Sequence, residues 1–302
     1  MHTRFEIYGG MIEKIMWADC NHMKPGADVR RYKVVFILFV VWFAGNLPAA
    51  LAADYLTGSG CSVSNVGYLN ELAKDYEKRT GVKVFVRGGG SVVGIEDLRN
   101  GKVDFAAACR QREAGDPDDV QFIQVAWDVL VFIVHKSNPV DNITLDEVRA
   151  IYSGKITNWR QLKGADAPIQ TYMSRPKRGL SGVEASARKM VLNGKDPVIS
   201  PHVQFVASTG IVEQMVEGTA EGFATTGFTS ARKRDVKMLK MSGVSPTYKN
   251  IVDGRYPLKR QLFILLPRNP KPEAKRFVDY VLGKDGQQFI RSQGVVPLLD
   301  LK

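Results

Sequence analysis

Val82-Lys83-Val84-Phe85-Val86-Arg87-Gly88-Gly89-Gly90-Ser91-Val92-Val93-Gly94-Ile95 carries the pattern on which the fold turns. Val82 to Val86 alternate as a β-strand does, three glycines and a serine interrupt the run, and apolar spacing then predicts a helix from Val93 to Arg99. On the N-terminal side, Tyr68, Leu69, Leu72, Ala73 and Tyr76 recur at helical spacing with charges between them, and Gly81 stops that helix. Before it, Tyr55-Leu56-Thr57 reads as a short strand ending in Gly58-Ser59-Gly60-Cys61-Ser62. On the C-terminal side, Val103 to Ala108 reads as a third strand. Strand, loop and helix in alternation predict an α/β protein with a largely parallel sheet. Ligands of such sheets bind outside the carboxyl ends of strands, and two of those ends here are rich in Gly, Ser and Cys.

The same alternation continues along the chain. Val125 to His135 is nearly unbroken apolar sequence, as in a strand buried on both faces. Thr144 and Glu147 have the spacing of a capping box ahead of a helix. Gly154 to Trp159 is rich in turn residues, and Ser208-Thr209-Gly210 opens a helix running through Val216. Gly222 to Phe228 and Gln261 to Leu266 are strands, the second followed by a helix from Pro272 to Leu282.

The 302 residues, 44% hydrophobic and 24% charged, suffice for a sizeable core and exclude a mostly disordered chain. Three cysteines are too few for a disulfide scaffold, and with four histidines they give no zinc-type spacing. No apolar run reaches the roughly 18 to 20 residues that span a bilayer, which excludes a multi-pass membrane protein. Residues 1–52 read as a leader and secretory signal peptide. Arg30, Arg31 and Lys33 precede the apolar run Val34 to Ala44, Gly45, Asn46 and Pro48 break it, and Ala50-Leu51-Ala52 supplies an A-x-A cleavage site before Ala53. Met23 makes a natural start for such a signal. The mature chain is then a soluble, exported, periplasmic protein with a net charge of +9, against +11 for the whole.

Glycines between a strand and a helix let backbone N–H groups approach an anion, and the helix N-terminus adds positive potential. Gly88 to Gly94 admits that reading or a tight turn in which Ser91 caps the helix. It is neither a Rossmann fingerprint nor a Walker A loop, so nucleotide binding is not favoured. Ser174-Arg175-Pro176-Lys177-Arg178-Gly179-Leu180-Ser181-Gly182-Val183 is a second anion-loop candidate, because guanidinium groups match the oxygen pairs of tetrahedral oxyanions. Arg232-Lys233-Arg234 lacks glycine and serine and reads as a solvated segment; without interleaved aromatics it does not point to nucleic acid. Cys61 and Cys109 each follow a strand, as buried thiols or as a disulfide if the strands are neighbours. No nucleophile–base set or paired carboxylates mark a catalytic centre, and His135 reads as structural.

Five stretches in this order resemble the phosphate-binding, PstS-like branch of the type II periplasmic binding proteins that serve ABC transporters. They are Leu56 to Gly60; Gly88 to Ser91 with Gly94-Ile95; Val103 to Ala108; Ile151-Tyr152-Ser153-Gly154-Lys155-Ile156-Thr157-Asn158-Trp159; and Tyr256 to Arg260 with Gly286-Gln287 and Gly294 to Leu298. The resemblance implies a two-lobed α/β fold with a hinge and a ligand cleft between lobes. Residues 53–130 and 256–302 would form lobe 1 and residues 131–255 lobe 2, with hinge strands near Leu130 and Leu262. It also implies that Ser62 and Val63 of the first loop, Ser91 of the second, and Ser181 and Gly182 of lobe 2 hold the anion, together with one of Arg175, Lys177 and Arg178. Val183 stands where the family has threonine, and Leu180 replaces a loop glycine. Cys109 stands where some members have an aspartate that accepts the proton of hydrogen phosphate; others have Ser-Arg there, which Cys109-Arg110 resembles. The expected function is capture of inorganic phosphate, without cofactor or metal, by a monomer that delivers it to a membrane ABC permease. The alternatives are a receptor for sulfate, molybdate or tungstate, a sensor on the same fold, or an enzyme acting on phosphoesters.

Overall fold

The computed structural model describes residues 55–175, 181–198 and 201–301. The expected leader, the cleavage before Ala53, and Lys177, Arg178 and Leu180 lie outside the described residues.

Strand β1 (Tyr55–Gly60) lies between β2 (Lys83–Gly88) and β3 (Phe105–Ala108), parallel to both, so that Gly60 pairs with Gly88 on one side and Ala107 on the other. A continuous helix, α1, over 62–80 joins β1 to β2; its turn Asn65–Leu69 is π-helical, and it ends at Gly81, whose φ of 79° suits glycine. Helix α2 (Ser91–Arg99) joins β2 to β3. Each glycine-rich loop of the sequence therefore lies at a strand's carboxyl end and opens a helix.

One strand belongs to both lobes. The sixteen residues of β4 (Val120–His135) pair antiparallel with β11 (Lys259–Pro267) up to Val129, and from Leu130 onward with β8 (Gly222–Gly227). β11 also lines β3 antiparallel, β12 (Val296–Pro297) pairs with β4 at Trp127, and β9 (Val236–Met238) pairs with its far end. Beyond β8 lie β6 (Gln170–Ser174) and β7 (Val203–Val206), all parallel, which gives the order β2-β1-β3-β11-β4-β8-β6-β7. A separate parallel pair, β5 (Asn142–Ile143) with β10 (Lys240–Met241), flanks the second lobe. The helices after α2 are α3 (Leu145–Tyr152), α4 (Gly182–Met190), α5 (Thr209–Gly218), α6 (Phe228–Ala231), α7 (Tyr248–Val252), α8 (Pro272–Leu282) and α9 (Lys284–Ser292). This is a two-lobed α/β fold in which β4 runs through both lobes, while β11 pairs only with first-lobe β3 and the first part of β4; the β4–β11 register shifts between Leu262 and Phe263.

Each lobe has an aromatic centre. In the first, Phe277 sits 5.1 Å, centroid to centroid, from both Tyr76 and Phe105. In the second, Phe223 is stacked 6.3 Å from Phe132 and meets Tyr152 and Trp159 edge-on. The Tyr152–Trp159 stretch thus builds core, and the Trp159 indole donates to the Glu221 carbonyl. The capping box at Thr144 and Glu147 is present with both of its bonds. Arg234 departs from the solvated reading: its guanidinium pairs with the buried Glu213 carboxylate at 3.2 Å, because Glu213 also accepts from Thr226 and Ser230 and needs a cation nearby. Among the described residues, no helix is long and apolar enough to cross a membrane.

Candidate anion-binding site

Four helix N-termini meet where β1, β2, β6 and β7 end. α1 begins at Ser62 and α2 at Ser91 in the first lobe; α4 begins at Gly182 and α5 at Thr209 in the second. The first N–H groups of each helix have no intrahelical partner and carry its positive end, so the four together form a concave donor surface.

The contacts between lobes are tight. A Cβ at Gly182 would lie 2.5 Å from the Ser91 hydroxyl and 2.6 Å from the Cys109 sulfur, so only glycine allows α4 to approach the first lobe this closely. A Cβ at Gly210 would lie 3.6 Å from that of Ser62, and one at Gly90 would lie 3.9 Å from that of Ser181. Ser62, Ser91, Cys109, Ser181 and Thr209 are all buried. The Ser181 and Thr209 hydroxyls are 3.4 Å apart, as are those of Thr209 and Ser174. Ser91 does not cap its helix; its hydroxyl instead accepts the Cys109 N–H at 3.1 Å. Ser181 does cap α4, accepting from the Glu184 N–H.

The structure brings Ser62, Ser91, Cys109, Ser181 and Gly182 together, with the backbone of Val63 and Val183 in the adjoining first helical turns, and it places the side chains of the other expected residues elsewhere. Val63 follows Ser62 in the first turn of α1 with its side chain packed toward Gly227. Val183, in the first turn of α4, is wholly buried in the core. The Arg110 guanidinium is engaged by both oxygens of Asp116, at 2.6 and 2.8 Å. Arg175 is exposed, with its guanidinium 4.3 Å over the Phe205 ring.

Two features of the site escape a reading from loops. Beneath Cys109, Arg260 of β11 and Asp128 of β4 form a fully buried ion pair, with bonds of 2.6 and 2.9 Å to one carboxylate oxygen. The other oxygen accepts from the N–H and hydroxyl of Thr229. Asp128 is the lone carboxylate inside an apolar strand, which was the available signal. The second is the α5 N-terminus, legible only as Ser208-Thr209-Gly210. Beside the cluster, Arg110, Lys189, Lys259 and Arg260 line a cavity of about 330 Å³.

Local electrostatics follow from burial. The Glu184 carboxyl, accepting from the Ser174 N–H and hydroxyl at 2.7 Å, is pushed up to about 7 by desolvation. Burial also pushes the Cys61 thiol up, whereas hydrogen bonding from Cys61 holds the Cys109 thiol below its ordinary value. Among the described residues no group of His, Cys, Asp and Glu could hold a metal ion. The arrangement suits a small anion: dipoles and hydroxyls come from both lobes, and the two buried guanidiniums nearby, Arg110 and Arg260, are already paired with Asp116 and Asp128.

Comparison with known proteins agrees with this architecture. A family model described as the PBP superfamily domain matches residues 48–285. Phosphate-binding protein PstS of Bacillus subtilis is 28% identical over 255 residues, 83% of each chain. That of Borreliella burgdorferi is 29% identical over 257 residues, covering 78% of this chain and 87% of its own. A solved ABC-type phosphate transport receptor from Vibrio cholerae matches at a TM-score of 0.61 and 25% identity, over 81% of this chain and 100% of that one. A phosphate ABC transporter substrate-binding protein from Clostridium perfringens, solved with bound phosphate, has the same fold at a TM-score of 0.71 and 24% identity, with the same coverage. The chain belongs to the PBP superfamily, among its PstS-like substrate-binding proteins.

Proposed function

We propose that the chain is an exported receptor that captures inorganic phosphate between its lobes and presents it to a membrane permease of the ABC type. The carrying observation is the convergence of four helix N-termini with the Ser62, Ser91, Ser181 and Thr209 hydroxyls, two of each from either lobe. Such a surface stabilises a tetrahedral oxyanion through many preorganised donors, and it is complete only when the lobes are closed. The names of the relatives, phosphate-binding proteins of PstS type, support phosphate as the ligand. Residues 53–130 with 256–302 act as one lobe and residues 131–255 as the other, since β4 changes partner at Leu130. The protein performs no reaction: its role is binding and closure, as a monomer with no nucleic-acid partner. Cleavage before Ala53 would release it to the periplasm.

A second reading is motivated by Cys109. Its thiol stands at the cleft floor beside Ser91 and Gly182, where a carboxylate would repel any anion lacking a proton. Cys109 supplies no carboxylate to impose that penalty, so sulfate, molybdate or tungstate is the competing ligand class. Calorimetric titration of protein stripped of ligand by unfolding separates the two. Tight binding of phosphate and arsenate with no sulfate heat supports a phosphate receptor. Preference for a fully ionised anion moves the assignment to the second class, and silence across the panel refutes both.

A further inference from the structure

Cys61 and Cys109 sit at the ends of adjacent parallel strands. Gly60 of β1 pairs with Ala107 of β3, and the Cys61 N–H continues the ladder to the Ala107 carbonyl at 2.8 Å. Continuing that register, Cys61 falls opposite Ala108, one residue short of Cys109; strands about 4.8 Å apart with a rise of about 3.3 Å per residue put the two Cα atoms roughly 6 Å apart, within the ~4.4–6.8 Å that a disulfide spans. Both thiols are free and buried. Their burial differs in kind. Cys61 opens α1 inside the first lobe, whereas the Cys109 sulfur is covered from the other side by Gly182 of the second lobe and by Ser91, 3.8 Å away. Opening the cleft removes Gly182 and uncovers Cys109 first.

We propose that Cys61 and Cys109 are a modification site, a dithiol that closes to a disulfide when the cleft is open and is shielded when the lobes close on their anion. The oxidant is a small-molecule disulfide. The Cys109 thiolate attacks one of its sulfurs, forming a mixed disulfide and expelling one thiolate. Cys61, after losing its proton, attacks the Cys109 sulfur and expels the second thiolate. The pair loses two electrons, the small disulfide gains two, and the two protons released by the cysteines end on the two expelled thiolates. Cys109 is the attacking thiol because it is the one facing the cleft. Formation of the bond is independent of the ligand; shielding by phosphate rests on the proposed function.

The test incubates the reduced full chain with oxidised glutathione, with and without saturating phosphate, and maps peptides by mass spectrometry. The phosphate-free sample is expected to accumulate a Cys61–Cys109 cross-linked peptide that dithiothreitol reverses, and phosphate to slow this at least tenfold. In C61S, glutathione should remain on Cys109; in C109S, Cys61 should stay unmodified. Wild-type mapping decides the case should either variant fail to fold. Stable glutathione adducts on the wild type, linkage to Cys20, or no linkage at all overturns the site. Calorimetry on the same sample separates the two claims. Phosphate that binds with heat yet leaves the oxidation rate unchanged overturns the shielding. Absence of binding heat is a failure of the phosphate reading, and the phosphate-free arm then decides the disulfide alone.

Discussion

Gly182 carries the heaviest geometric demand in the cleft. A methyl group there would collide with Ser91 and Cys109, both of the opposite lobe, while its own helix has room for alanine at the first position. Gly182→Ala should therefore block closure without unfolding the protein. The expected result is at least a hundredfold loss of anion affinity by calorimetry, with the ligand-free melting temperature changed by no more than about 2 °C. The hydroxyls act more gently. A hydrogen bond to a charged group contributes about 1.5–3 kcal/mol, so Ser91→Ala and Ser181→Ala should each weaken binding about ten- to a hundredfold. Ser181→Ala should also lower stability by about 1 kcal/mol, because it removes the α4 cap. Glu184 sets a pH dependence. Its folded-state value of about 7 lies above the ordinary 4.5, so the folded protein holds a proton that the unfolded chain has released. Stability is full below about pH 4.5 and declines as pH rises toward 7, by an amount on the order of a few kcal/mol. Denaturant titrations across that window should show the decline, and Glu184→Gln should flatten it.

At the scale of elements, β4, which crosses between lobes, and β11 beside it hold the site's floor. Removing one partner of the Asp128–Arg260 pair leaves a buried charge alone, which costs about 3–5 kcal/mol. Asp128→Asn should thus lower stability more than any hydroxyl variant, whereas Asp128→Leu with Arg260→Met should recover most of the loss. How far such features were legible depends on their range. The helices and turns were readable because caps and periodicity are local: Thr144 and Glu147 gave a complete capping box, and Pro272 to Leu282 is helical over its whole expected length. β4 begins at Val120, five residues before its apolar run, because Gln121 to Gln124 pair with β11 although Gln121 is exposed and the next three are only half-buried. Ser91, Ser181 and Gly182 could be placed from loop composition and resemblance. The Arg260–Asp128 pair could not, since it joins residues 132 apart in sequence, and the Arg110 guanidinium is claimed by Asp116 six residues on.

For the whole molecule, strand order is what converts scattered loops into one site. The sequence alternation implied parallel strands, but only the topology shows β4 crossing from one lobe to the other and bringing residues 62, 91, 182 and 209 together. A receptor built this way changes shape when it works. Small-angle scattering should show a smaller radius of gyration with phosphate than after stripping, and Gly182→Ala should keep the larger value in both conditions.

The anion that closes the lobes should sit among the four helix N-termini. A crystal structure of the stripped chain grown with phosphate tests it most directly. One anion should be bonded to backbone N–H groups and hydroxyls at Ser62, Ser91, Ser181 and Thr209, from both lobes at once. Phosphate bound instead in the cavity beside Arg110 and Lys259, or held by one lobe alone, would contradict it.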